Sequence, residues 1–324
     1  MCVDSMAVKA ENRPNQEDFS FDLTKIFASM VSVQSRIPSD AFTASVLGTE
    51  RAGNGIVIRE DGVVLTIGYL VTEAEAIWLT DHTGKAVQGH VLGYDQESGL
   101  ALIQALGKLD SEVIQVGKSS FVREEDKVII VGFGGRQNSV SAEVIAVREF
   151  AGYWEYLLDE AIFTSPAHPN WGGTGVVGIN GELVGVGSLF IQHETAGDMA
   201  ADGNMIVPID LLEPIYQDLL QLGKPDRKAR PWLGLFGAEV DGYVVVAALT
   251  SDGPAHQADV RVGDIIRAVA NNHVTSLADF FRKLWAVGPA GVEIPLLIDR
   301  EGESLELSVE SVARADMLKG PKLH

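Results

Sequence analysis

Between about residue 40 and residue 205 the chain is a succession of short apolar runs cut by Gly, Asp and Asn. The runs lie at 55–58, 63–66, 76–80, 87–92, 127–131, 140–147, 175–179 and 183–188. Many short strands with little helical period predict an all-β barrel or sandwich. Asp61-Gly62 between the first two runs reads as a hairpin turn. Over 21–31 apolar residues return at helical spacing, which predicts a short helix leading into the first barrel. Over 209–223, Leu211, Leu212, Ile215, Leu219, Leu220 and Leu222 line one helical face, and Gly223 reads as its C-cap. Lys224 to Arg230 is charged and contains Pro225, the pattern of a linker.

Beyond the linker the pattern changes. Gly253-Pro254 turns the chain, Pro254 to Ala258 forms a small-residue helical turn, and Gly263-Asp264 leads into a strand over 265–269. Ser276 offers an N-cap, after which Leu277, Phe280, Phe281, Leu284 and Trp285 follow helical spacing.

Composition narrows the function classes. With 45 acidic against 25 basic residues the net charge is −20, which argues against nucleic-acid backbones and anionic membranes as partners. The single cysteine, Cys2, excludes an internal disulfide. Met1 to Asp18 carries no charged segment leading into an apolar one, so the chain as written reads as cytoplasmic, or periplasmic if its start is mis-assigned. No stretch approaches the roughly 20 apolar residues of a membrane span, so no membrane insertion is expected. The histidines lack metal-ligand spacing, and neither a metal nor a cofactor is expected.

Three segments carry a resemblance to trypsin-like serine proteases of the HtrA/Deg kind. The hairpin ends in Thr66-Ile67-Gly68-Tyr69-Leu70-Val71, where that family has Thr-Asn-Asn-His-Val-Val. Asp95-Gln96-Glu97-Ser98-Gly99-Leu100-Ala101 resembles its Asp-x-x-x-Asp-Leu-Ala. Pro169-Asn170-Trp171-Gly172-Gly173, followed by Gly181-Glu182, resembles its Pro-Gly-Asn-Ser-Gly-Gly and later Gly-Glu. Pro231-Trp232-Leu233-Gly234-Leu235-Phe236 and the run from Asp252 to Ile266 resemble the PDZ domain that follows in the same family.

The resemblance implies a mainly β chain: a trypsin-like double six-stranded β-barrel followed by a PDZ domain. The expected division is a partly flexible N-terminal arm over 1–40, a peptidase-like domain over 41–223, a linker over 224–230, a PDZ domain over 231–313 and a tail over 314–324. It also places Tyr69, Gly99 and Gly172 at the base, orienting acid and nucleophile, with Trp171 as the nucleophile in an alternative register. A phenol with a pKa near 10 is a poor general base, and glycine carries neither nucleophile nor carboxylate. What remains is a residual oxyanion loop at Asn170 and Gly172 and a peptide-binding site at Leu233, Gly234, Leu235, Phe281 and Leu284.

Ser165, Thr174 and Ser188, with His168 or His193, are the hydroxyls and bases from which a substitute triad would be drawn. The first reading is therefore a pseudoprotease that binds peptides or unfolded protein segments as an adaptor or chaperone-like regulator. An active relative and a homo-oligomer, such as a trimer, are its implied partners. The alternatives are an endopeptidase using non-standard residues and a scaffold subunit of a mixed oligomer.

Overall fold

The computed structural model describes residues 7–194 and 200–319, with the side chains of His193, Glu194 and Ala200 left aside. Cys2 and His324 lie outside the described residues. Residues 7–148 and 160–226 form one compact unit, and residues 149–159 and 227–319 form another.

The first unit contains two closed six-stranded barrels. In the first, β1 (Met30–Arg36), β2 (Glu50–Val57), β3 (Val63–Ile67), β4 (Ala76–Thr80), β5 (Ala86–Tyr94) and β6 (Leu100–Ala105) close in the order β1-β2-β3-β6-β5-β4. Closure removes the unpaired edges that short strands would otherwise expose. All five residues of β3 are buried, which is why that run reads as continuously apolar rather than alternating. The Asp61-Gly62 turn sits where expected, with Gly62 at φ +84°. Residues 23–28 are helical, capped by Asp22 accepting from the Thr24 amide at 2.8 Å. The barrel starts at β1, inside the segment expected as an arm, because Met30, Val31 and Val33 are fully buried.

The second barrel comprises β7 (Lys127–Val131), β8 (Ser139–Gly152), β9 (Tyr156–Ser165), β10 (Gly175–Val177), β11 (Leu183–Glu194) and β12 (Ala200–Pro208), in the order β10-β11-β12-β9-β8-β7. Val128, Ile130, Val140, Val144, Ile162 and Ile206 are among the residues of its core. The helix expected over 209–223 is shorter than its pattern. Pro214 lacks an amide donor, and 209–215 breaks into two 3₁₀ turns before the helix Tyr216–Leu222. Gly223 then ends it at φ +75°.

In the second unit, β13 (Leu235–Val240), β14 (Tyr243–Leu249), β15 (Ile265–Val269), β16 (Asn272–His273), β17 (Glu293–Arg300) and β18 (Glu303–Glu310) form a sheet in the order β13-β14-β15-β17-β18, with β16 paired to β15. β13 is thus an edge strand. The helix Leu277–Ala286 is capped by Ser276, which accepts from the Asp279 amide at 3.0 Å. Its Leu277, Phe280, Phe281 and Leu284 are buried in the core with Val244, Ile266 and Ile298. Asp264 of the Gly-Asp turn is buried and accepts two hydrogen bonds of 2.8 Å from the Arg300 guanidinium, a structural role for that motif.

Candidate functional site

The barrel turns bring Tyr69, Gly99 and Gly172 together. The amide of Gly68, beside Tyr69, donates to the Gly99 carbonyl at 2.6 Å. A Cβ on Gly172 would lie 2.7 Å from the Tyr69 hydroxyl. That hydroxyl donates to the Ser188 carbonyl at 2.8 Å, and burial pushes the phenol pKa up from its ordinary value. A phenol held neutral in this way is a poor proton acceptor, and it occupies the space a side chain at 172 would need.

Gly172 faces Tyr69, and Trp171 meets the same phenol through its side chain while its indole lies against Phe190, ring centroids 5.5 Å apart. Gly99 adopts φ +79°, a left-handed conformation that favours glycine.

Asn54, a residue the motifs gave no reason to single out, fixes this loop. Its side-chain amide donates to the carbonyls of Asn170 and Gly172, both at 3.0 Å, and its Oδ1 accepts from the Phe133 amide at 2.8 Å. Its own main-chain amide donates to Gly172 at 2.9 Å. Its place in β2, opposite Ser32 of β1, brings it there. No local sequence signal marks it.

In the loop expected as oxyanion-binding at Asn170 and Gly172, the Asn170 amide is engaged. It donates to Nδ1 of His168 at 3.1 Å rather than facing a vacant site. His168 is buried, its Nε2 is 2.8 Å from the Asn138 carbonyl, and burial lowers its pKa. Both ring nitrogens are thus spent on the backbone, with Nε2 as donor and Nδ1 as acceptor. Ser165 Oγ donates to the Asp202 carbonyl at 3.1 Å and Thr174 Oγ1 to that of Trp171 at 2.8 Å. Neither hydroxyl bonds to His168, so the substitute triad is not assembled around this base. The side chain of His193 lies outside the described residues.

In the C-terminal module the amides of Leu233, Gly234 and Leu235 turn toward one point. All three reach Oε1 of Glu155, at 3.1, 2.9 and 3.3 Å, and Leu233 also reaches Oε2 at 3.3 Å. Gly234 stands at φ +73°, where a Cβ would meet the Trp232 ring at 2.9 Å. Three successive amides in such a bend make a nest for an anion. The side chains of Leu233, Leu235, Phe281 and Leu284 are all fully buried. The two leucines meet Glu155 through their backbones, and the side chains of all four residues lie in the core.

Comparison with known proteins follows this division. The family model described as a trypsin-like peptidase domain matches residues 53–186, and that described as a PDZ domain matches residues 231–310. A probable periplasmic serine endoprotease, DegP-like, of Pseudomonas fluorescens is 27% identical over 283 residues, covering 82% of this chain and 57% of the relative. The periplasmic pH-dependent serine endoprotease DegQ of Escherichia coli is 26% identical over 293 residues, covering 83% of this chain and 62% of the relative. The chain thus spans less than two thirds of the length of these relatives. The solved structure of the HtrA-type protease AlgW with a tripeptide is similar in fold, with a TM-score of 0.54 at 17% identity, covering 95% of this chain and 99% of that one.

Proposed function

From a chain that joins a trypsin-like peptidase domain to a PDZ domain, the HtrA-type arrangement, we propose a binding role without peptide hydrolysis. The PDZ domain captures peptides or unfolded protein segments by their C-terminal carboxylates, and the peptidase domain is a non-catalytic frame. The chain acts as an adaptor or chaperone-like regulator, alone or beside an active HtrA-type relative. The relatives' names speak of a periplasmic location, and we propose that compartment in preference to the cytoplasmic one first read from the sequence.

The observation that carries this reading is the convergence of the Leu233, Gly234 and Leu235 amides on a carboxylate oxygen. Capture of a peptide carboxylate in such a loop, with the peptide added as a strand to the neighbouring edge, is a known recognition mode. β13 supplies that edge. Support for the absence of hydrolysis comes from Tyr69 and Gly172: peptide cleavage needs a base in hydrogen-bond reach of a nucleophile, and here a neutral phenol faces a glycine.

Two measurements test the reading. Intact-mass analysis after treatment with a fluorophosphonate, beside an active HtrA-type protease, is expected to find this chain unmodified. An adduct on Ser165, Thr174 or Ser188 would restore the endopeptidase. Peptides with a free C-terminus are expected to bind and their C-terminally amidated forms to bind at least tenfold more weakly; equal affinity for both would remove the carboxylate loop from the function.

A further inference from the structure

The carboxylate held by the Leu233–Leu235 loop belongs to the chain itself. Glu155 stands at the tip of the hairpin between β8 and β9, and this tip, residues 149–159, folds within the same compact unit as the C-terminal module. The carboxylate is not a chance surface contact: Glu155 is 8% exposed and accepts from three consecutive amides.

Its neighbours continue the contact in the register of an added strand. The amide of Gly237, two residues along the edge strand from Leu235, donates to the carbonyl of Tyr153, two residues before Glu155, at 3.0 Å. Moving forward on one segment thus moves backward on the other, as in an antiparallel pair, and a peptide whose last residue sat at Glu155 would meet β13 in the same order. The Tyr153 and Phe236 rings lie 6.0 Å apart. Ala151 and Leu157, on the two legs, pack against the core cluster that holds Leu277, Phe280 and Phe281. Arg282 on the helix pairs with Glu149 and Asp159, one on each leg.

The hairpin is built to present this group. Glu155 ends a three-residue turn at φ +60°, where a glycine is the usual choice and a glutamate is strained. The Trp154 ring stacks on Tyr156 at 5.5 Å and lies 6.2 Å from Phe150, bracing the turn from within. A strained residue at a braced tip, with its carboxylate in an amide nest, is what a resident ligand requires.

We propose that Glu155 is an internal pseudo-ligand of the PDZ domain: its side-chain carboxylate holds the Leu233–Leu235 loop closed, and a peptide C-terminus binds by displacing it. The proposal rests on the peptide-binding reading above and adds its regulation. A site closed in this way shows an external ligand an affinity reduced by the fraction of molecules that are open. The closed contact keeps the domain silent toward weak or sparse C-termini. It yields only to ligands that supply both a carboxylate and a strand.

The test uses the full chain and the variant Glu155→Gly, which removes the carboxylate while relieving the turn, with Glu155→Gln as the conservative partner. Hydrogen exchange without peptide reads occupancy: the amides of Leu233 to Leu235 and of Gly237 are expected to be protected in the wild type and to exchange at least tenfold faster in Glu155→Gly. A pool of peptides with free and amidated C-termini reads competition: the free forms are expected to bind Glu155→Gly at least tenfold more tightly than the wild type, with Glu155→Gln between them. Unchanged exchange, or equal peptide affinity for wild type and Glu155→Gly, overturns the proposal. Faster exchange with no peptide bound by either protein supports the closure by Glu155 and overturns the peptide-binding reading instead.

Discussion

The Tyr69 hydroxyl stands 2.7 Å from the point where a side chain on Gly172 would begin, and it is anchored there by the Ser188 carbonyl. The two positions are therefore coupled. A side chain at 172 would require the Tyr69 hydroxyl to shift.

Gly172→Ser is expected to destabilise the chain by about 1–3 kcal/mol through overpacking against that hydroxyl. In a Tyr69→Phe background the clash is reduced, and a double-mutant cycle from urea denaturation should return a coupling of at least about 0.5 kcal/mol. Additive effects would show that the loop relaxes freely and that the two residues are independent.

Gly99 at φ +79° sets a second cost, against any side chain at that position. Gly99→Ala is expected to lower stability by about 1–2 kcal/mol, Gly99→Val by more, and Gly99→Asp by the least of the three because Asp tolerates the left-handed region better. Thermal or urea melts of the series give the order. A series ranked by side-chain volume alone would contradict a backbone origin.

Asn54→Ala removes three side-chain hydrogen bonds at once and leaves the Phe133 amide and the Asn170 carbonyl to find other partners, while the Gly172 carbonyl keeps the main-chain amide of residue 54. The expected loss is about 2–4 kcal/mol, from three hydrogen bonds lost at half-buried sites. Hydrogen exchange should quicken at Phe133 more than at strand amides of the barrels. Stability within about 0.5 kcal/mol of the wild type would contradict the role given to this residue.

Burial pushes the Glu155 carboxyl up to about 7, against the three amides and the Arg314 guanidinium, which favour its charged form. The docked carboxyl therefore holds a proton more tightly than one released to water, with its ordinary value of 4.5. Docking is most favourable below the ordinary value and is lost as pH rises through the docked value. Peptide carboxylates stay ionised over this window. Peptide affinity of the wild type is expected to rise about tenfold or more between roughly pH 5 and pH 7.5, while Glu155→Gln, which carries the same histidines, stays nearly flat. Parallel pH profiles by fluorescence anisotropy would contradict the assignment.

Arg282 ties both legs of the hairpin to the helix, but half of its side chain is in water. Exposed pairs contribute about 0–1 kcal/mol and weaken with salt. Arg282→Ala is expected to raise peptide affinity by no more than about fivefold, well short of Glu155→Gly. An effect as large as that of Glu155→Gly would move the weight of the closure from the carboxylate nest to the ion pairs.

Wherever an apolar run could bury itself only one way, the sequence by itself determined the outcome. The runs at 63–66 and 127–131 became barrel strands. Leu277, Phe280, Phe281 and Leu284 became the buried face of a capped helix. Gly62 and Gly223 marked turns through their backbone freedom, and a phenol at 69 and the lack of a side chain at 172 were legible as residue types. The shortening of the helix expected over 209–223 was also local, written in Pro214, although the apolar spacing outweighed it. What only the tertiary structure decided concerns groups far apart in the chain. His168 became a strut between Asn138 and Asn170, and Asn54 a staple across more than a hundred residues, through barrel register that no spacing encodes. Glu155 lies 78 positions before Leu233 in a hairpin with no motif of its own. An acidic residue in a turn reads as solvated, and only folding, by turning three amides toward it and removing the water, makes its carboxylate a ligand.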